Sequence, residues 1–173
     1  MHITRRKTRQ VQVGAVKIGG DAPVSVQSMC STDTRDTNAT IEEIRRLEEV
    51  GCELIRVAVP DEEAAAALPE IKAAMTVPLI ADIHFDHRLA LRAAKIVDCV
   101  RINPGNIGAW WKIEEVIKAV NDNGIPIRVG VNGGSLERHL LEKYGWPSPE
   151  ALAESALNAV RSLEDVGFTN MKV

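Results

Sequence analysis

The chain has 173 residues, an apolar fraction of 45% and a formal net charge of −3, enough for one ordinary domain with a real core. That mild negative balance excludes a general basic field for nucleic acid or for an anionic membrane surface. No apolar run approaches the length of a membrane span, and no apolar signal segment follows the polar opening Met1-His2-Ile3-Thr4-Arg5-Arg6, so a cytoplasmic protein is expected.

Residues 10 to 20 predict a small hairpin, with Val11, Val13, Val16 and Ile18 apolar, Gly14 at the turn and Gly19-Gly20 as terminator. Residues 24 to 29 read as a strand. Ile41, Ile44, Leu47 and Val50 then form a helical stripe that Gly51 ends. Residues 53 to 59 give the next strand, and Asp61 is placed to cap the alanine-rich helix after it. Pro78 opens a third strand over 79 to 83, followed by a helix over 87 to 97. Residues 98 to 103 form the fourth strand, and Ile113, Val116, Ile117 and Val120 mark a helix closed by Gly124. The fifth strand covers 125 to 131. Ser148-Pro149-Glu150 starts a helix whose buried face is Leu152, Ala156, Val160 and Leu163, and residues 168 to 173 begin a sixth strand.

Alternating strand–helix units imply a parallel sheet with helices outside. An open doubly wound sheet is the main alternative, but no Gly-x-Gly-x-x-Gly turn follows a strand. The expected fold is therefore α/β: an incomplete TIM (β/α)8 barrel of about five βα units plus the start of a sixth strand, preceded by the hairpin. A barrel without its last strands leaves exposed edges, which implies partners or further sequence.

Three strands each carry one arginine in an apolar run: Leu54-Ile55-Arg56-Val57, Cys99-Val100-Arg101-Ile102 and Pro126-Ile127-Arg128-Val129. A buried arginine keeps its charge and is costly without a partner, and its planar fork suits phosphate. Three at equivalent places predict one pocket for a multiply charged anion. Outward-facing arginines paired with helix acids are the competing reading. By strand alternation Asp82 and His84 share a face, as do Arg101 and Asn103, and Arg128 and Asn132.

Two segments after arginine strands, Asn103-Pro104-Gly105-Asn106 and Asn132-Gly133-Gly134-Ser135, could offer backbone N–H groups to phosphate. Asp82 and His84 could ligate a metal, yet the neighbouring cations oppose one; hydrogen bonding or proton transfer to a substrate hydroxyl is the favoured role. Residues 29 to 36 form either a loop over the mouth or a solvated turn. Cys30, Cys52 and Cys99 are odd in number and widely spaced, against a disulfide framework. Cys52 and Cys99 read as buried small hydrophobes; Cys30, at a strand end, lacks a neighbouring base.

Val26-Gln27-Ser28-Met29, Ala81-Asp82-Ile83-His84-Phe85-Asp86, the run from Val100 to Gly108 and Ile127-Arg128-Val129-Gly130-Val131-Asn132 closely resemble the 4-hydroxy-3-methylbut-2-enyl diphosphate synthase family of the non-mevalonate isoprenoid pathway. The resemblance covers nearly the whole chain. It implies an oxidoreductase that reductively opens 2-C-methyl-D-erythritol 2,4-cyclodiphosphate, with an N-terminal barrel for the diphosphate and a C-terminal domain carrying a [4Fe–4S] cluster. Arg56, Arg101 and Arg128 would grip the diphosphate with help from Asn103 and Asn132, and Asp82 and His84 would lie near the substrate hydroxyls.

The resemblance further implies a homodimer at full length and a flavodoxin or ferredoxin electron donor. The family's cluster ligands, three cysteines and a glutamate, have no match here, so no metal ligands are assigned. Residues 1–173 are read as a single barrel segment without the iron–sulfur domain, expected to be inactive alone. Lys172 is left out of the site because the family's substrate-facing lysine is expected just past Val173. A cluster-independent barrel enzyme doing acid–base chemistry on a phosphorylated metabolite, and a non-catalytic truncated product, remain the alternatives.

Overall fold

The computed structural model describes residues 6–173, so the polar opening falls, save for Arg6, outside the described residues. Strands β1 (Val11–Val13) and β2 (Val16–Ile18) pair antiparallel as the expected hairpin. Six parallel strands follow in chain order: β3 (Gln27–Met29), β4 (Leu54–Ala58), β5 (Leu79–Ile83), β6 (Cys99–Ile102), β7 (Ile127–Val129) and β8 (Met171–Lys172). Helices α1 (Thr37–Glu49), α2 (Glu62–Ala73), α3 (His87–Ala93), α5 (Trp110–Asp122) and α7 (Pro149–Asp165) make the crossovers. The short helices α4 (Pro104–Ile107) and α6 (Arg138–Tyr144) are extra.

This is the α/β half-barrel that the strand–helix alternation predicts. Each long crossover begins at a side-chain cap where one is available: Asp36, Asp61 and Ser148 accept from Ala39, Ala64 and Ala151 backbone N–H groups. Among the described residues no helix is long and apolar enough to cross a membrane.

The two faces of the sheet do different work, and strand alternation sorts the residues between them. Ile55 and Val57, Leu79, Ala81 and Ile83, Val100 and Ile102, and Ile127 and Val129 face the helices. They pack with Ile44, Leu68, Ile71, Ala90, Val116 and Val120 into the main core. Each large member contributes about 1.5–3 kcal/mol by burial.

The alternate residues face the barrel interior. At its floor Leu54, Ile80 and Cys99 meet Val13 of the hairpin, with Val16 and Ile18 packed beside them. The hairpin thus closes the amino-terminal end of the strands. One register higher the interior turns polar.

Three local expectations change. The first parallel strand starts at Gln27 rather than 24, because the Glu53 carboxylate takes the Val26 N–H at 2.7 Å and Val24 is 80% exposed. The segment 103–106 is not an open loop: Pro104 begins helix α4, and the Asn103 side chain caps it. Helix α6 lies in a stretch that sequence reading leaves unassigned; its Leu140 packs with Leu136 and Ala151.

Candidate anion-binding mouth

The parallel ladder itself sets the polar row. Asp82 lies opposite Arg101, Arg101 opposite Arg128, and Arg128 opposite Lys172. Four charged side chains from four successive strands therefore stand side by side across the interior. Arg56 joins them from β4. The outward reading of the arginines fails on this geometry, since their strand neighbours occupy the helix-facing core.

Asp82 is the hub. Its side chain is 4% exposed; Arg101 Nη1 donates to Oδ1 at 3.0 Å, and Arg56 Nε lies 3.6 Å from Oδ2. His84 Nε2 stands 3.4 Å from the same Oδ2, on a side chain left 45% exposed at the rim. Arg56 Nε also donates to Met29 Sδ at 3.2 Å. Arg128 takes a neutral partner instead, donating from Nη1 to Gln27 Oε1 at 2.8 Å.

One carboxylate thus faces three guanidinium groups and an ammonium. The two cations remote from Asp82 are lowered in pKa, by burial first and then by neighbouring positive charge. Burial pushes Arg128 down from its ordinary pKa, and the positive charge of Arg56 adds to the effect. Lys172 is likewise lowered by burial, with Arg128 and Arg56 pushing the same way. Charge of this kind, held on a rigid sheet, is relieved by an anion.

Asn103 and Asn132 come together through Ser135. Asn103 Nδ2 donates to Ser135 Oγ at 2.5 Å, and Ser135 Oγ lies 2.9 Å from Asn132 Oδ1. Asn103 Oδ1 accepts the Gly105 N–H at 3.1 Å, so that N–H is engaged in the cap and is not open to phosphate. Asn103 is 3% exposed, whereas Asn132 lies exposed at the mouth. Residues Gly133–Ser135 form a single 3-10 turn.

The rest of the Asp82-to-His87 motif points elsewhere. Asp86 caps α3 through the Arg88 N–H at 2.9 Å, while His87 Nε2 sits 3.1 Å from Glu115 and packs edge-on to Trp111. The segment 30–36 is a tied turn: both oxygens of Glu43 accept from Ser31 and Thr32 N–H groups at 2.9–3.0 Å. Cys30 is buried, and burial, then Glu43 and Cys52, pushes its thiol up to about 12. Cys99 is raised to about 11 by burial. Neither is a nucleophile at neutral pH.

Sequence reasoning overlooked Gln27 and set Lys172 aside, whereas the register puts Lys172 opposite Arg128 in the polar row. Gln27 carries a readable signal, a long amide inside an otherwise strand-like run. Lys172 lies in a two-residue strand, too short for its alternation to show. No group of three or more His, Cys, Asp or Glu is arranged to hold a metal ion among the described residues.

Fold and mouth together define a class: a parallel-barrel segment with a cation-rich carboxyl-terminal end, where barrel enzymes place their chemistry. The family model for the GcpE TIM-barrel domain matches residues 8–173, and the chain belongs to that family. It is 55% identical over 170 residues to the 4-hydroxy-3-methylbut-2-en-1-yl diphosphate synthase (flavodoxin) of Geobacter sulfurreducens, covering 98% of this chain and 48% of that protein. The synthase of the same name from Maridesulfovibrio salexigens is 56% identical over 172 residues, covering 99% and 48%.

The chain thus spans about half the length of the curated relatives it matches. Among solved structures it resembles a phospho-2-dehydro-3-deoxyheptonate aldolase of Thermotoga maritima, with TM-score 0.63, 14% identity, and coverage of 95% of this chain and 44% of that one. A dihydropteroate synthase of Coxiella burnetii gives TM-score 0.64 at 10% identity, covering 95% and 65%. These distant likenesses support the barrel fold alone.

Proposed function

We propose that this chain is the substrate-binding barrel portion of a 4-hydroxy-3-methylbut-2-en-1-yl diphosphate synthase. Its ligand in this reading is the diphosphate of 2-C-methyl-D-erythritol 2,4-cyclodiphosphate. One observation supports it: Arg56 and Arg101 share the carboxylate of Asp82, while Arg128 and Lys172 stand beside them in the same row without an acidic partner of their own among the described residues, leaving positive charge at the mouth.

The diphosphate would be gripped by the three guanidinium groups, whose donors form parallel pairs with phosphate oxygens. Asn132 would add a neutral contact at the rim, and Asn103 would hold Ser135 and Asn132 in place. Asp82 acts as an anchor for Arg56 and Arg101 in this scheme. His84, oriented by Asp82, would hydrogen-bond or move a proton at a substrate hydroxyl.

The relatives' printed names support flavodoxin as the electron donor in preference to ferredoxin. A homodimer and a [4Fe–4S] cluster belong to the same reading of the whole protein. The described residues do not fit the cluster: Cys30 and Cys52 lie in the main core, Cys99 in the floor, and the thiols of Cys30 and Cys99 are raised. This chain by itself would bind substrate without reducing it.

The His84–Asp82 pair favours one second reading, acid–base chemistry on a phosphorylated metabolite without a cluster. Titration of the chain with inorganic pyrophosphate and with the cyclodiphosphate tests the first. Binding of both, competitively and with loss in Arg101→Ala, is expected. Absence of binding by either overturns it, and turnover of the cyclodiphosphate by this chain without a reductant would favour the second.

A further inference from the structure

The last strand position before the β7 loop holds a residue whose identity the fold alone does not demand. Of the chain's 12 glycines, eight have a positive φ that favours glycine, and Gly130 is not one of them. Its N–H donates to Ile102 O at 2.9 Å, extending the ladder that pairs β6 with β7. Any L-residue could adopt that backbone.

Side-chain space is a different matter. Gly130 follows Arg128 by two residues, so a Cβ there would enter the mouth between Arg128 and Asn132. Built on this backbone, that Cβ falls 2.5 Å from Arg101 Cζ and closer still to Nε and Nη2. The guanidinium of Arg101 fills the space that this Cβ would take, on a side chain 12% exposed, and from there reaches Asp82. Gly105, Gly133 and Gly134, the other glycines without positive φ, would keep an added Cβ at 3.0 Å or more from every neighbour.

We infer that Gly130 is a positioning residue that seats the Arg101 guanidinium in the anion-binding mouth. The inference rests on the proposed function for its consequence, though not for its geometry. An arginine head has slack, so a methyl group at 130 displaces the guanidinium rather than the strand. Arg101 would then leave Asp82 and lose its alignment with Arg56 and Arg128. A glycine at the inward position of a barrel strand thus acts on affinity through the side chain of the adjacent strand.

The test is a double-variant cycle read by calorimetric titration with inorganic pyrophosphate. Gly130→Ala should weaken binding by about tenfold or more, the scale of one charge-assisted contact. Gly130→Ala/Arg101→Ala should bind no more weakly than Arg101→Ala, because the two changes remove the same contact. Wild-type affinity in Gly130→Ala, or two losses that simply add, overturns the inference.

A ligand-free readout separates it from the functional reading. The Arg101 Nε–H resonance should move or broaden in Gly130→Ala and stay fixed in Lys118→Ala, a 75% exposed side chain on helix α5. If wild-type chain ignores pyrophosphate, the functional reading fails and this resonance alone decides the inference. If Gly130→Ala does not fold, adding Arg101→Ala should restore folding by removing the clash partner; a double variant that also fails overturns it.

Discussion

Gln27 on the first parallel strand and Arg128 on the fifth, 101 residues apart in sequence, touch across the barrel interior through a 2.8 Å hydrogen bond. The curl of the sheet brings their strands face to face, so the amide holds the guanidinium without neutralising it. A carboxylate at position 27 would hold it equally well and cancel its charge. That distinction separates positioning from electrostatics.

Gln27→Ala should therefore lower pyrophosphate affinity by about two- to tenfold, the range for one neutral hydrogen bond. Gln27→Glu should lower it further, although the contact to Arg128 becomes stronger. Calorimetric titration of the two variants at one ionic strength decides the order. Tighter binding by Gln27→Glu would show that Arg128 needs holding more than it needs its charge.

Asp82 governs the other two arginines. Asp82→Asn leaves Arg56 and Arg101 without their shared anion, and removing one partner of a buried pair costs about 3–5 kcal/mol. Arg56 keeps 22% of its side chain exposed, which places the expected loss toward the lower end. Because the freed cations gain most from an added anion, pyrophosphate should raise the unfolding temperature of Asp82→Asn more than that of wild type. Thermal unfolding with and without pyrophosphate reads both effects, and equal shifts would detach Asp82 from the anion site.

The parts of this architecture legible in the sequence are those governed by short repeats. Short apolar runs exposed β4 to β7, and the single arginine inside three of them, Arg56, Arg101 and Arg128, at equivalent places pointed to one shared face. The segment 103–106 shows where the method fails: read as a loop it offered backbone N–H groups to phosphate, whereas Pro104 turns the chain into a helix that the Asn103 side chain caps. Helix α6 has one fully enclosed residue, Leu140, so it leaves no apolar stripe to read. Gly130 is silent for a deeper reason. Its neighbour is set by the sheet register, and a glycine with an ordinary φ looks like any loop glycine.

The turn at 30–36 supplies a pH-dependent prediction. Burial alone would raise the Glu43 carboxyl, but hydrogen bonds from Ser31 and Thr32 outweigh it and hold the pKa at about 2. A depressed carboxylate contributes stability that is complete above its ordinary value of 4.5 and is lost as pH falls toward about 2. Amide exchange at Ser31 and Thr32, corrected for intrinsic rates, should therefore lose protection between those two limits. Glu43→Gln should show weakened protection already at neutral pH, and unchanged protection in that variant would remove Glu43 as the tie.

The floor and the mouth of the barrel should respond to mutation in opposite ways, because apolar packing holds one and charge the other. Leu54, fully enclosed with Val13, Ile80 and Cys99, lies two residues before Arg56 on the same strand face. Leu54→Ala opens a cavity and should cost about 2–5 kcal/mol of stability. Arg101→Ala should instead reduce pyrophosphate affinity by about ten- to a hundredfold while the chain stays folded. Urea unfolding and calorimetric titration on both variants separate the terms. If Leu54→Ala, measured where it is still folded, weakened binding as much as Arg101→Ala, the floor would be setting the strand register that lines up Asp82, Arg101 and Arg128, and stability and binding would be one property of the sheet.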